Sequence, residues 1–192
     1  MKFFKIIANI IIVYFALYSV IWLHEFGHAL FYYCYGCKSE LFQLHVPYYF
    51  ASASPGQIDQ TCYKLLSSYL HIWAAMGGII ANLLLATGMY FILLKYKNYS
   101  KITLFVNFFI LSNLIEAASY LTLCNVRPMG DIISVAQYFP LLRIPLGLLG
   151  AGLVFIIIRF IQIIQRPLRI GMIIFCIATV FCMFGLRFLF AG

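Results

Sequence analysis

His24, Glu25 and His28 are the residues in this chain best placed to do chemistry. They lie in the run His24-Glu25-Phe26-Gly27-His28, inside a stretch from residue 6 to residue 35 that is otherwise apolar and uncharged. Two imidazoles at i and i+4 share one helix face, the geometry that sets both on one zinc ion. The neighbouring carboxylate then stands where a general base is needed. An ionisable group in hydrocarbon costs roughly 2.5–3.5 kcal/mol, so three within one turn mark a functional site. The pattern H-E-x-x-H arises by chance in soluble proteins, but a membrane span is a poor place for that accident.

A catalytic zinc takes three protein ligands and keeps a fourth position for water. Asp131 is the first candidate for the third ligand. It follows the break Asn125-Val126-Arg127-Pro128-Met129-Gly130, which can turn its carboxylate back toward the first helix. Asp is also a favoured helix N-cap, so that role stays open beside it. Glu116, a second carboxylate within an apolar run, is the rival ligand. It could instead hydrogen-bond a zinc-bound histidine or serve only structure. Asn82 and Asn125 are candidates for binding substrate backbone, with interhelical hydrogen bonding as the plain alternative. His45 and His71 read as loop or interface histidines, with His45 also a candidate contact for an oxyanion. Cys34 and Cys37 form a C-x-x-C, but a zinc site needs a second pair and only Cys62 is near in sequence. Gly36 between them is expected to end the first helix as its C′ residue.

The elements that must position these groups are membrane helices. The chain is 65% hydrophobic and only 9% charged, outside the range of a soluble domain. The net charge of +8 is scattered, without a basic run or stripe, so nucleic acid is excluded as a partner and the bilayer is implied instead. An N-terminal signal peptide is not expected, because the apolar stretch is too long and cleavage would cut the helix bearing the histidines. The fold class is an all-α polytopic membrane protein with about five spans, near residues 3–35, 69–94, 102–123, 144–164 and 170–190. Measured back from Lys38, the histidines lie roughly 15 Å below the membrane surface at 1.5 Å per residue. Residues 41–46 alternate, with Phe42, Leu44 and Val46 on one side, and predict a short strand or hairpin. With the N-terminus inside, eight Lys and Arg fall on the cytoplasmic side and five on the other (counting Lys2, Lys5, Lys95, Lys97, Lys101, Arg159, Arg166 and Arg169 against Lys38, Lys64, Arg127, Arg143 and Arg187).

Three separated segments resemble the site-2 protease family of intramembrane zinc metalloproteases. The first is His24-Glu25-Phe26-Gly27-His28 with Ala29 and Leu30, followed by Gly36 and Glu40. The second is Gly77-Gly78-Ile79-Ile80-Ala81-Asn82, similar to a G-P-x-x-N element with Ile79 in place of proline. The third is Asn125, Pro128 and Asp131, similar to an N-x-x-P…D-G element but shorter, with Ile132 in place of glycine. The resemblance covers residues 10–140. It implies a three-helix core, zinc held by His24, His28 and Asp131, Glu25 activating water, and a site open to the cytosol, which conflicts with the charge count.

The expected organisation is a catalytic membrane core over residues 1–140 and two further helices over residues 141–192. The expected function is a zinc-dependent intramembrane endopeptidase acting on transmembrane protein substrates. The alternatives are a catalytically silent relative that binds membrane proteins and a metal-handling membrane protein. No soluble filtering domain is apparent, so gating falls to a regulatory membrane partner or to the last two spans. An unwound substrate segment could pair with the edge of the 41–46 strand.

Overall fold

The computed structural model describes residues 2–48, 53–95, 100–164 and 169–178. Helix α1 is Lys2–Cys34, followed by the short α2, Gln60–Leu65. Helices α3, Ser68–Lys95, and α4, Ser100–Leu121, follow. Three short elements come next: α5, Leu123–Val126, α6, Ile132–Tyr138, and a 3-10 turn at Pro140–Leu142. Helix α7 is Arg143–Ile163, and α8 is Arg169–Ala178. Among the described residues four helices are long and apolar enough to cross a bilayer, so by composition the chain is a multi-pass membrane protein. The fifth expected span enters the description only as α8, and residues beyond 178 lie outside the described part.

The end of α1 follows from one glycine. Gly36 adopts φ +74°, a conformation that strains any residue with a Cβ. Its N–H donates to the Tyr33 carbonyl at 3.0 Å, and the Cys37 N–H reaches back to the Tyr32 carbonyl at 2.9 Å. These two bonds form a Schellman motif, which satisfies carbonyls the last turn would otherwise leave unpaired.

Helix α4 is the centre of the bundle and packs against α1, α3 and α7. Its apolar window is 78% buried, against 11% for α1 and α7, whose outward faces are left for lipid. The inward stripe of α1 is Ala16, Val20, His24 and His28, all buried at i+4 spacing. Facing it, α3 buries Ala74, Gly77, Gly78, Asn82 and Ala86. Small residues on both helices let the backbones approach closely, the usual device where lipid leaves no hydrophobic drive for association. The closest approach is between Gly27 and Gly77. A Cβ on Gly77 would lie 2.6 Å from the Gly27 carbonyl oxygen, and one on Gly27 would collide with the Gly77 carbonyl.

The expected strand at residues 41–46 does not form. Among the described residues only one antiparallel bridge is present, with His45 N–H donating to the Ser54 carbonyl at 3.1 Å and Ser54 N–H returning 2.9 Å to His45. Local bonds divert the rest of the ladder. Gln43 N–H donates to the Glu40 carbonyl, Leu44 N–H donates to the Phe42 carbonyl, and Lys38 Nζ donates to the Gln43 carbonyl at 2.9 Å. Burial pushes the Lys38 ammonium below its ordinary pKa, with Glu40 opposing, and the loop carbonyls replace its lost water. Among the described residues the 41–46 segment therefore presents no strand edge.

Cys37 does not pair with Cys34. It is disulfide-bonded to Cys62, 25 positions along the chain, while Cys34 is free and exposed. Closing a loop of that size contributes roughly 3 kcal/mol on a chain-entropy account.

The Gly27–Gly77 contact makes a paired prediction. Gly77→Ala forces the α1 and α3 backbones apart and is expected to cost about 1–3 kcal/mol, as overpacking does. Gly88→Ala, on the same helix with nothing within 4 Å of its added Cβ, is expected to be neutral or to gain about 0.5–1 kcal/mol. Thermal unfolding of both variants in detergent checks the contrast, and equal midpoints would contradict the close crossing.

Candidate metal centre

His24 and His28 project from adjacent turns of α1 into the space between α1, α3 and α4, where they are 2% and 6% exposed. Their Nε2 atoms are 3.1 Å apart. Asp131 completes the group, its Oδ2 lying 3.2 Å from His24 Nε2 and 3.4 Å from His28 Nε2.

Asp131 arrives there by a local sequence of events. Pro128 forces the preceding Arg127 into an extended conformation (φ −117°, ψ 104°), which ends α5. Gly130 then takes φ +55° and reverses the chain, placing Asp131 at the head of α6. The Asp131 side chain makes no capping hydrogen bond there. Its carboxylate faces the imidazoles instead of the helix end.

The tautomers decide what these three atoms can do. His28 Nδ1 lies 2.7 Å from the Ala74 carbonyl oxygen, an acceptor only, so Nδ1 carries the proton. In the neutral ring Nε2 is then a lone pair. The Gly78 N–H, at 3.4 Å from the same nitrogen, is too distant to reverse this. His24 Nδ1 lies 3.0 Å from the Asn82 side-chain amide, whose Oδ1 is otherwise buried without a partner. A half-turn of that amide lets Oδ1 accept from His24 Nδ1–H, since the two amide atoms are alike in shape. His24 Nε2 is then also a lone pair.

Three electron-rich atoms therefore converge in a buried pocket. Asp131 Oδ2 faces both imidazole nitrogens within 3.4 Å, and with both rings neutral in these tautomers neither nitrogen has a proton to give it. Such a group is costly unless a cation sits among its members. The spacing suits one. A tetrahedral ion with bonds of about 2.0–2.1 Å has ligand–ligand edges of about 3.3 Å, and the observed edges are 3.1, 3.2 and 3.4 Å. Among the described residues this is the one set of His, Cys, Asp and Glu whose donor atoms lie within 4.8 Å of one another. The group can hold a metal ion.

The space is kept by Gly78. A Cβ there would lie 2.5 Å from His24 Cε1 and from His28 Nε2. Tyr120 lies flat against His24, with ring centroids 5.3 Å apart and planes 10° apart, and fixes that imidazole from the α4 side. Gly78 stood in the sequence only within the Gly77–Asn82 element, with nothing to say that it keeps space for the imidazoles; Tyr120 is one of fourteen tyrosines, and a backbone acceptor such as Ala74 leaves no sequence trace.

The remaining candidates fall elsewhere. Glu25 is 8% exposed and lies near enough to both histidines for their charges to act on it. Glu116 is close enough for its charge to act on Glu25 but is outside the three-donor group. Asn82 is fully buried behind His24, with its side-chain amide 3.0 Å from His24 Nδ1. Asn125 is engaged by Arg143, donating to its carbonyl at 2.6 Å and accepting from its Nε at 3.2 Å. That knot joins α5 to α7 and leaves little of the amide for substrate. His45 is exposed, its backbone paired with Ser54. His71 is buried in α3, between Tyr63 at 4.5 Å and Tyr138 at 5.5 Å.

Comparison of the chain with protein-family models, with curated proteins and with solved structures finds no match. Geometry and donor chemistry alone carry the assignment.

Partners that orient a metal-bound histidine typically change metal affinity by 10–100-fold when removed. Asn82→Leu is accordingly expected to weaken binding by about that factor, whereas Asn82→Asp, which keeps an acceptor on His24 Nδ1, retains it. Competition against a zinc chelator measures both, and equal affinities in the two variants would remove the orienting role.

Proposed function

We propose that this chain is a zinc-dependent endopeptidase that hydrolyses peptide bonds in or near transmembrane segments of other membrane proteins. The observation that carries the proposal is the convergence of His24, His28 and Asp131 with Glu25 in the same turn of α1.

His24, His28 and Asp131 would hold the ion, and the donor set fits it. Bound there, zinc supplies Lewis acidity and brings the pKa of its water near neutrality. The same two imidazoles and carboxylate also suit iron(II). Glu25 beside the donors supplies a candidate base for hydrolysis, the chemistry that zinc serves.

Glu25 has two tasks. It receives the proton of the attacking water, and it returns that proton to the departing amine. It lies near enough to His24, His28 and Asp131 for their charges to act on it. The burial of His24, Glu25 and His28, with Asp131 half-buried beside them, limits the access of bulk water, so charge interactions within the site are strong. A helical substrate must unwind before its carbonyls are available, because intrahelical hydrogen bonds otherwise occupy them. Nothing in the 41–46 segment offers strand pairing, so the unwound segment is held by other contacts.

Glu25→Gln separates this reading from its rivals. The variant is expected to keep its metal and to lose about 10²–10⁴-fold in cleavage of a single-span substrate, the usual contribution of a general base. Undiminished cleavage would remove Glu25 as the base. Metal binding without cleavage by the wild type would favour a metal-handling or silent binding protein.

A further inference from the structure

The structure fixes which end of the bundle the donor group faces. Helix α1 ends, α3 begins, α4 ends and α7 begins on the same side. Every connection beside the donor group lies there: the segment from 35 to 67, and the segment from 122 to 142 that carries Asp131. The two segments touch through rings. Tyr63 on α2 packs against His71, and His71 stacks on Tyr138 of α6 at 5.5 Å.

This same end carries the Cys37–Cys62 disulfide. The pairing is built into the loop. The Cys37 carbonyl accepts from Asp59 N–H at 2.8 Å, and Asp59 Oδ1 caps α2 by accepting from Thr61 and Cys62 N–H. Cys37 is 1% exposed. A shielded disulfide of this kind persists in oxidising compartments and is rare in a cytosol kept reduced.

Charge supplies a second, independent observation. On the opposite side the sequence puts Lys2, Lys5, Lys95, Lys97, Lys101, Arg159, Arg166 and Arg169. On the disulfide side the sequence puts five, Lys38, Lys64, Arg127, Arg143 and Arg187, and two of them are committed to internal bonds. Lys38 donates to the Gln43 carbonyl, and Arg143 donates to the carbonyls of Asn125 and Val126. The cations of the opposite side mark it as cytoplasmic.

We propose that the N-terminus of α1 is cytoplasmic and that the donor group opens to the oxidising, non-cytoplasmic side. Resting on the endopeptidase reading, this names the substrate class: membrane proteins whose scissile segment lies in the non-cytoplasmic half of the bilayer. It reverses the orientation that the family resemblance implies.

The test uses the full chain in its membrane, with Cys34, Cys124, Cys176 and Cys182 changed to serine so that only the pair remains. In sealed cells a membrane-impermeant maleimide is expected to label neither cysteine until an impermeant reductant is added, and both afterwards. Labelling without reductant, or only after permeabilisation, would overturn the orientation. This arm needs no catalysis, so it stands apart from the peptidase reading. The second arm offers the unmodified chain two single-span substrates, with a helix-weakening Gly-Pro placed in either half of the span. Cleavage confined to the non-cytoplasmic half supports the proposal, and cleavage in the cytoplasmic half overturns it. Cleavage of neither removes the peptidase reading and the substrate class with it, while labelling still decides the orientation.

Discussion

Two imidazole nitrogens and a carboxylate oxygen, within 3.4 Å of one another and shielded from water, are the constraint on which the rest of this protein depends. Left to themselves such atoms repel or must share protons. A cation at their centre turns the repulsion into attraction. The Ala74 carbonyl fixes His28 in the tautomer that presents a lone pair inward, and the Asn82 amide can do the same for His24. The surrounding helices can be read as the means of holding three donors in place without filling the space between them.

That requirement explains where the bundle uses its smallest residues. Gly27 and Gly77 bring α1 and α3 into backbone contact, which puts the Ala74 carbonyl within reach of His28. Gly78, one residue on, leaves the volume the imidazoles occupy. Helix α4 closes the third side with Tyr120 flat on His24. Asp131 comes not from a regular span but from a Pro-Gly break, where Gly130 packs against the Tyr120 ring.

The parts of this arrangement that were legible in the sequence are local. The i, i+4 histidines lie on one helix face because 3.6 residues make a turn, and Gly36 ends the helix because only glycine takes its φ without strain. Pro128 and Gly130 announced a reversal that could redirect Asp131. The less legible parts depend on partners distant in the chain. Cys37 found Cys62 and not Cys34, because Asp59 ties α2 beneath the end of α1. The 41–46 alternation was real, but Lys38 took a carbonyl that a strand would have needed. Asn82 was legible as a polar group near the site. Its bond to His24 became visible only once α3 lay against α1.

The most direct test of the donor group is X-ray absorption at the metal edge of purified protein loaded with zinc. Nitrogen and oxygen scatterers at about 2.0–2.1 Å, with the outer-shell pattern of two imidazoles and no sulfur at about 2.3 Å, are the expected result. A sulfur shell, a single imidazole, or protein that retains no zinc would contradict the assignment of His24, His28 and Asp131.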